Sequence, residues 1–315
     1  QHSLRDGRYA APPGGAGGGL MTSTEAGAST SSDEEGEDER DDEPGIPKIR
    51  LGAVSFLNTR PLTVGLDGPD SPFELRYDLP SRCAADLAAG SIDVGLIPVI
   101  EYARSDPDYW IVPGISIASR GEVLTVRLFY RGDLSKIRRI AVDTSSRTSV
   151  ALMTILLRER FNLDPEQVPA APDLDAMLHT ADAALLIGDP VLPLVTAEQG
   201  ARQSLDLADE WTQMTGKPFV FAFWAGRQDR LSAGHVARLK QASLAGSACL
   251  PQIAAVFQRE RAGDAVLYEK YLTHHIHHDL GPDELDGLAE FYRLAALHGV
   301  IDHEPVLRFY PSEGL

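Results

Sequence analysis

Two short stretches carry residue types and spacings able to hold and polarise a small anionic molecule. The first is Lys48-Ile-Arg-Leu-Gly-Ala-Val-Ser55-Phe-Leu-Asn58-Thr-Arg-Pro61-Leu62. Ser55 and Asn58 stand just past a mostly alternating apolar run that reads as a buried strand, and Pro61 suits the first turn of a following helix. Small ligands of open α/β sheets bind beyond the carboxyl ends of strands, so a hydroxyl and an amide here can orient a substrate. The second stretch is Asp143-Thr-Ser-Ser-Arg-Thr-Ser149. It lies between a strand over 139–142 and an amphipathic helix over 150–161. A helix start offers unpaired N–H groups and a positive dipole end to a carboxylate or phosphate, contributing roughly 0.3–1 kcal/mol, or up to ~2 when partly buried. Both stretches read equally as capped strand-to-helix turns, because Ser, Thr and Asn favour such positions.

Other chemistries find less support. There is no glycine-rich phosphate loop and no G-x-S-x-G nucleophile turn. Thr273-His-His-Ile-His-His278 sets His274 and His278 four apart, a metal-ligand spacing. It falls in a tail that reads as peripheral helix, without the three or four fixed ligands that zinc needs, so no metal is expected. Cys83 and Cys249 are far apart and suggest neither a disulfide framework nor a cluster. Asp143 and Asp189 end strands and read equally as helix caps.

The elements that must position these residues fall into two α/β runs. The first has strands over 73–77 and 92–97, helices over 59–66, 82–89 and 99–104, then strands over 115–118 and 123–130. The second has strands over 139–142 and 183–187 and helices over 150–161 and 174–179. The segments 123–130 and 219–224 are long and apolar enough to cross between two lobes. From 232 to 299 the pattern is almost all helix. The expected organisation is a tail over 1–45, one lobe from 46–127 and 221–315, and a second lobe from 128–220, with the ligand cleft between lobes.

The 315 residues carry a net charge of −17. Residues 1–45, with 3 basic and 11 acidic side chains, account for −8, which leaves −9 for the rest. That tail combines a Gly-rich run, 11–19, with the acidic run Asp33–Glu43, and disorder is expected there. An acidic remainder argues against nucleic-acid binding. No apolar window is long enough to span a membrane, and no signal or lipid-attachment segment is evident. The expected compartment is therefore the cytoplasm.

Five motifs occur in order: Ser55-Phe-Leu-Asn58-Thr-Arg-Pro61; Ile92-Asp-Val-Gly-Leu-Ile-Pro98 with Glu101-Tyr102; Asp143-x-x-Ser146-Arg-Thr-Ser149; Leu186-Ile-Gly-Asp189; and Thr215-Gly-x-Pro218-Phe-Val-Phe-Ala222. Together they resemble the chorismate dehydratases of the futalosine route to menaquinone, over about residues 48–300. The resemblance implies a two-lobed, periplasmic-binding-protein-like α/β fold of type II. It also implies a hydro-lyase that needs no cofactor and takes water from chorismate to give 3-[(1-carboxyvinyl)oxy]benzoate. On this resemblance Asn58 is the catalytic residue, and Ser55, Thr125, Ser146, Arg147, Thr148 and Ser149 hold the substrate. Thr125 stands where relatives often carry Ser, and Val99 where many have a small polar residue. The alternatives are the related naphthoate-forming enzyme and a solute-binding or ligand-sensing protein of the same fold.

Overall fold

The computed structural model describes residues 47–105, 109–195 and 202–312. The tail expected over residues 1–45 lies outside them. Ile46–Leu315 is one compact unit, and its strands follow the apolar runs. In chain order they are β1 (Ile49–Val54), β2 (Phe73–Asp78), β3 (Val94–Pro98), β4 (Trp110–Ile111), β5 (Gly114–Ser119), β6 (Val126–Tyr130), β7 (Arg139–Val142), β8 (Glu166–Pro169), β9 (Ala183–Ile187), β10 (Ser204–Asp206), β11 (Phe219–Gly226) and β12 (His277–Leu280).

They form two sheets. The first has the order β12-β5-β11-β3-β1-β2, with β4 beside β11; the second has the order β10-β6-β9-β7-β8. In the first, β1 pairs in parallel with β2, Ile49 opposite Phe73, and with β3, Leu51 opposite Val94. β11 then joins antiparallel to β3 and β5. In the second, β7 runs parallel to β8 and β9, and β6 antiparallel to β9 and β10. Helices α1 (Pro80–Ala88), α3 (Arg147–Phe161) and α4 (Leu174–Thr180) connect strands that run parallel, α2 (Val99–Arg104) follows β3, and α5 (Leu207–Thr215) leads from β10 back to the first sheet. α6 (Ala233–Ser247), α7 (Leu250–Arg261), α8 (Ala265–Lys270) and α9 (Pro282–Leu297) follow β11.

The crossings between the sheets differ from expectation. No single strand spans 123–130: Leu124 turns into the left-handed region at φ 65, and β6 starts two residues later, wholly in the second sheet. β11 lies wholly in the first sheet, so the return crossing precedes 219. One carboxylate explains both. Asp206 accepts from the backbone N–H of Val123 at 3.1 Å and Leu124 at 2.8 Å, and caps α5 through Ala208 at 3.1 Å and Asp209 at 3.2 Å. The outgoing strand is broken because its N–H groups turn to this side chain. Burial pushes the Asp206 carboxyl up to about 6, and Arg127, with Nη2 at 3.7 Å, draws it back toward the charged form.

One further expectation is corrected and one is refined. The segment 232–299 is almost all helix, as expected, with one break. A π-helical turn over Tyr271–His275 closes with the Ile276 N–H on the Tyr271 carbonyl at 3.2 Å. The chain then extends as β12 along the edge of β5. The helix expected over 59–66 is a 3-10 turn, Leu57–Thr63, with Pro61 inside it. Helix α6 packs on this turn at Gly246. A Cβ there would lie 1.9 Å from the Pro61 carbonyl oxygen, so glycine is what lets the two backbones meet.

Gly246→Ala tests this contact. Alanine is favoured over glycine in a free helix by about 1 kcal/mol, yet here it must displace main chain, and overpacking of this kind costs about 1–3 kcal/mol. Urea denaturation should show net destabilisation. Unchanged or increased stability would mean that α6 and the Asn58-bearing turn separate without penalty.

Candidate active site

Where the ends of β1 and β9 face the start of α3, the protein has a cleft of about 460 Å³, counting space open to solvent. Its walls are largely apolar, with Phe56, Pro98, Ile117 and Phe221 among them, and Asn58, Thr125, Ser146 and Ser149 supply the polar side chains. Among the described residues, no ionisable side chain lines it.

Asn58 is held at both ends. Its Nδ2 donates to the Tyr271 hydroxyl at 3.2 Å, and its backbone carbonyl lies 2.8 Å from His278 Nε2. A carbonyl only accepts, so Nε2 carries the proton. Burial lowers the His278 pKa, which keeps the ring neutral in that tautomer. Thr125, buried on the outgoing crossing, places its hydroxyl 3.0 Å from the same Tyr271 oxygen.

α3 begins with Ser146 at its N-cap, but no side-chain bond caps it. The Ser146 hydroxyl lies 3.1 Å from the Ser149 hydroxyl instead. The first N–H groups of a helix lack intrahelical partners, so this 15-residue helix presents both hydroxyls and its positive end to the cleft. A simple cap would have tied up the serine oxygen.

The other expected site residues sit differently. Thr148 is fully buried, and its Oγ1 accepts the Ile100 N–H at 3.2 Å. Arg147 pairs with Glu101 at 2.7 Å. Both fasten α3 to α2 rather than lining the cleft. Ser55 donates its backbone N–H to the Asp78 carbonyl at 2.9 Å, and its side chain is not part of the lining. The structure therefore brings together Asn58, Thr125, Ser146 and Ser149, and leaves Ser55, Arg147 and Thr148 outside that group.

Two contacts tie the β1 end to the second sheet. The Phe56 ring packs on Gly188, at φ +78, where a Cβ would lie 2.5 Å from the ring. The partly buried Asp189 carboxylate accepts the Leu57 N–H at 3.0 Å. Burial pushes the Asp189 carboxyl up to about 6, against the Leu57 bond. Burial also raises Asp143, whose Oδ1 accepts the Ser145 N–H at 2.9 Å.

Tyr271 and His278 were not legible as site residues. The histidine run read as a possible metal motif in a peripheral tail. In the structure His274 belongs to the π-turn and His278 to β12, and His278 serves Asn58. Among the described residues no group of three or more potential ligands converges. The one local signal was the interruption of helical periodicity at the histidines.

Comparison with known proteins bears on the fold and the family. A family described as menaquinone biosynthesis matches residues 49–297. A Thermus thermophilus protein named chorismate dehydratase is 30% identical over 258 residues, covering 76% of this chain and 93% of that protein. A Campylobacter jejuni protein of the same name is 27% identical over 178 residues, covering 55% and 65%. Among crystal structures, protein AF1704 of Archaeoglobus fulgidus superposes with a TM-score of 0.66 at 19% identity, covering 82% of this chain and all 100% of that one. The periplasmic aliphatic sulphonate binding protein SsuA of Escherichia coli does so with a TM-score of 0.62 at 14% identity, covering 86% and 94%. These neighbours establish a two-lobed, periplasmic-binding-protein-like fold. The match across 49–297 establishes the lineage as well: this chain belongs to the menaquinone biosynthesis family.

Proposed function

We propose that this protein is a chorismate dehydratase, removing water from chorismate to give 3-[(1-carboxyvinyl)oxy]benzoate. The observation that carries the reading is the cleft lining: an amide, three hydroxyls and an uncapped helix start, between apolar walls. Chorismate brings two carboxylates, a ring hydroxyl and no phosphate, and this inventory suits it. The relationship to the Thermus thermophilus enzyme supports the same assignment. A biosynthetic role and two unpaired cysteines fit the cytoplasm.

The substrate carries much of its own driving force. Loss of the ring hydroxyl with the hydrogen on the neighbouring ring carbon leaves a benzoate, so aromaticity is gained as water departs. The protein must orient the ring, polarise the leaving hydroxyl and exclude water. Ser146, Ser149 and the first N–H groups of α3 would hold the ring carboxylate. Arg147 and Thr148 would act indirectly, by fixing α3 to α2. Asn58 and Thr125 would face the reacting edge.

The proton still needs an acceptor. Hydroxyls and amides do not titrate near neutral pH. Asp189 is engaged by the Leu57 N–H, Asp143 by the Ser145 N–H, and neither lines the cleft. We assign the base to the substrate's own enolpyruvyl carboxylate, with Asn58 orienting it or the departing hydroxyl.

Incubation with chorismate, followed by mass spectrometry, should show a product lighter by one water. Binding of chorismate without turnover would return the protein to a carrier or sensor role. Asn58→Ala should lower kcat by about 100-fold while chorismate affinity changes by less than about 10-fold, the pattern of an interaction made mainly in the transition state.

Asp143→Asn and Asp189→Asn should each retain kcat within about 10-fold of the parent, because neither carboxylate takes the proton in this scheme. Loss of turnover by a folded variant that still binds chorismate would make that aspartate the base.

A further inference from the structure

We propose that Tyr271 is a positioning residue for the dehydration, its hydroxyl locking the Asn58 amide and the Thr125 hydroxyl into one directed unit. The role in turnover rests on the chorismate dehydratase reading; the relay itself rests on geometry.

Tyr271 is fully buried and opens the π-helical turn, a helix irregularity that is often found at functional sites. Four of the five other buried tyrosines among the described residues satisfy their hydroxyls on main chain: Tyr102 on the Val306 carbonyl, Tyr268 on Ala262, Tyr292 on Val99 and Tyr310 on Arg227. The Tyr271 hydroxyl meets two side chains instead, and both line the cleft. An ordinary core tyrosine needs neither.

The direction of the relay follows from donor chemistry. Asn58 Nδ2 can only donate, so the Tyr271 oxygen accepts at 3.2 Å. The fully buried phenolic O–H needs an acceptor, and among the described residues the one recorded for it is Thr125 Oγ1 at 3.0 Å, so the phenol donates there. With that lone pair used, the Thr125 O–H is free to donate into the cleft. Successive bonds polarise one another, so the cleft receives a hydroxyl whose orientation is set from behind. His278 already fixes the backbone of Asn58, and Tyr271 fixes the side-chain torsions that remain. Burial raises the Tyr271 pKa, which keeps the relay protonated at working pH.

The test is a double-mutant cycle in the full chain, read as chorismate turnover. Tyr271→Phe removes one oxygen and should lower kcat by at least about 10-fold, with KM changed by less than about 3-fold. Added to Asn58→Ala, it should cost little further, because the two act as one unit. Equal, additive losses in both backgrounds, or kcat unchanged in Tyr271→Phe, overturn the proposal. Should Tyr271→Phe lose its cooperative melting transition, Thr125→Val cuts the far end of the relay and enters the same cycle with the same criteria.

A second readout needs no substrate. The Asn58 side-chain amide signal, assigned by its loss in Asn58→Ala, should have one slowly exchanging proton that becomes fast in Tyr271→Phe or Thr125→Val. An exchange rate unmoved by both variants overturns the relay even if the parent protein fails to dehydrate chorismate. Slow exchange lost on substitution, in a parent without turnover, keeps the relay and removes the assigned reaction.

Discussion

One carboxylate joins the two halves of the molecule. Asp206 gathers backbone N–H groups from the outgoing crossing and from the start of α5, ahead of the return crossing. Without it these N–H groups would lose their partner, at about 1–3 kcal/mol for each that is buried. The bonds also hold Leu124 in a backbone conformation that a leucine rarely takes. Thr125 follows at once, so the angle at which its hydroxyl enters the cleft is set by a side chain that never reaches it. The arrangement keeps a poorly solvated charge in the interior, which is why the Asp206 carboxyl is pushed up to about 6.

The few polar groups of the cleft are neutral, and that suits an anionic ligand that changes little in net charge as it loses water. A fixed positive side chain would hold ground state and transition state alike, with no gain in turnover. Partial charges from a helix start, an amide and hydroxyls can be aimed at a developing hydroxide instead. The ionic groups nearby are spent on architecture: Arg147 on Glu101 across the α3–α2 contact, and Asp189 on the Leu57 N–H. The Asp189 bond and the packing of Phe56 on Gly188 link the ends of β1 and β9.

The sequence made the two strand ends that bear the site legible, because apolar alternation followed by Ser, Asn or Thr is a local pattern. It did not say which residues of the α3 start face the ligand. Ser146 and Ser149 are three apart and share a face, while Arg147 and Thr148 lie about 100° and 200° around the helix from Ser146. Residue type pointed to all four; rotation separates them. The crossing at 123–130 was read as a strand because its side chains are apolar, and the acceptor that breaks it lies 82 positions away from Leu124. Tyr271 and His278 were missed for the same reason. Neither has a local pattern that points to Asn58, and the histidine run offered a metal motif as the nearer explanation.

The bonds that hold Asn58 join residues 213 and 220 positions apart. During synthesis, the turn bearing Asn58 therefore leaves the ribosome long before its partners exist. The first three strands can pair while the chain is short, yet the loop that bears the active amide stays unpinned until the edge strand β12 is made. Chains dominated by such distant pairings fold slowly. Until β11 is made, the nascent first sheet exposes the β3 edge that β11 will cover, an open template for pairing with other chains. That edge is thus closed by β11 before the stretch that pins the active-site amide has been made.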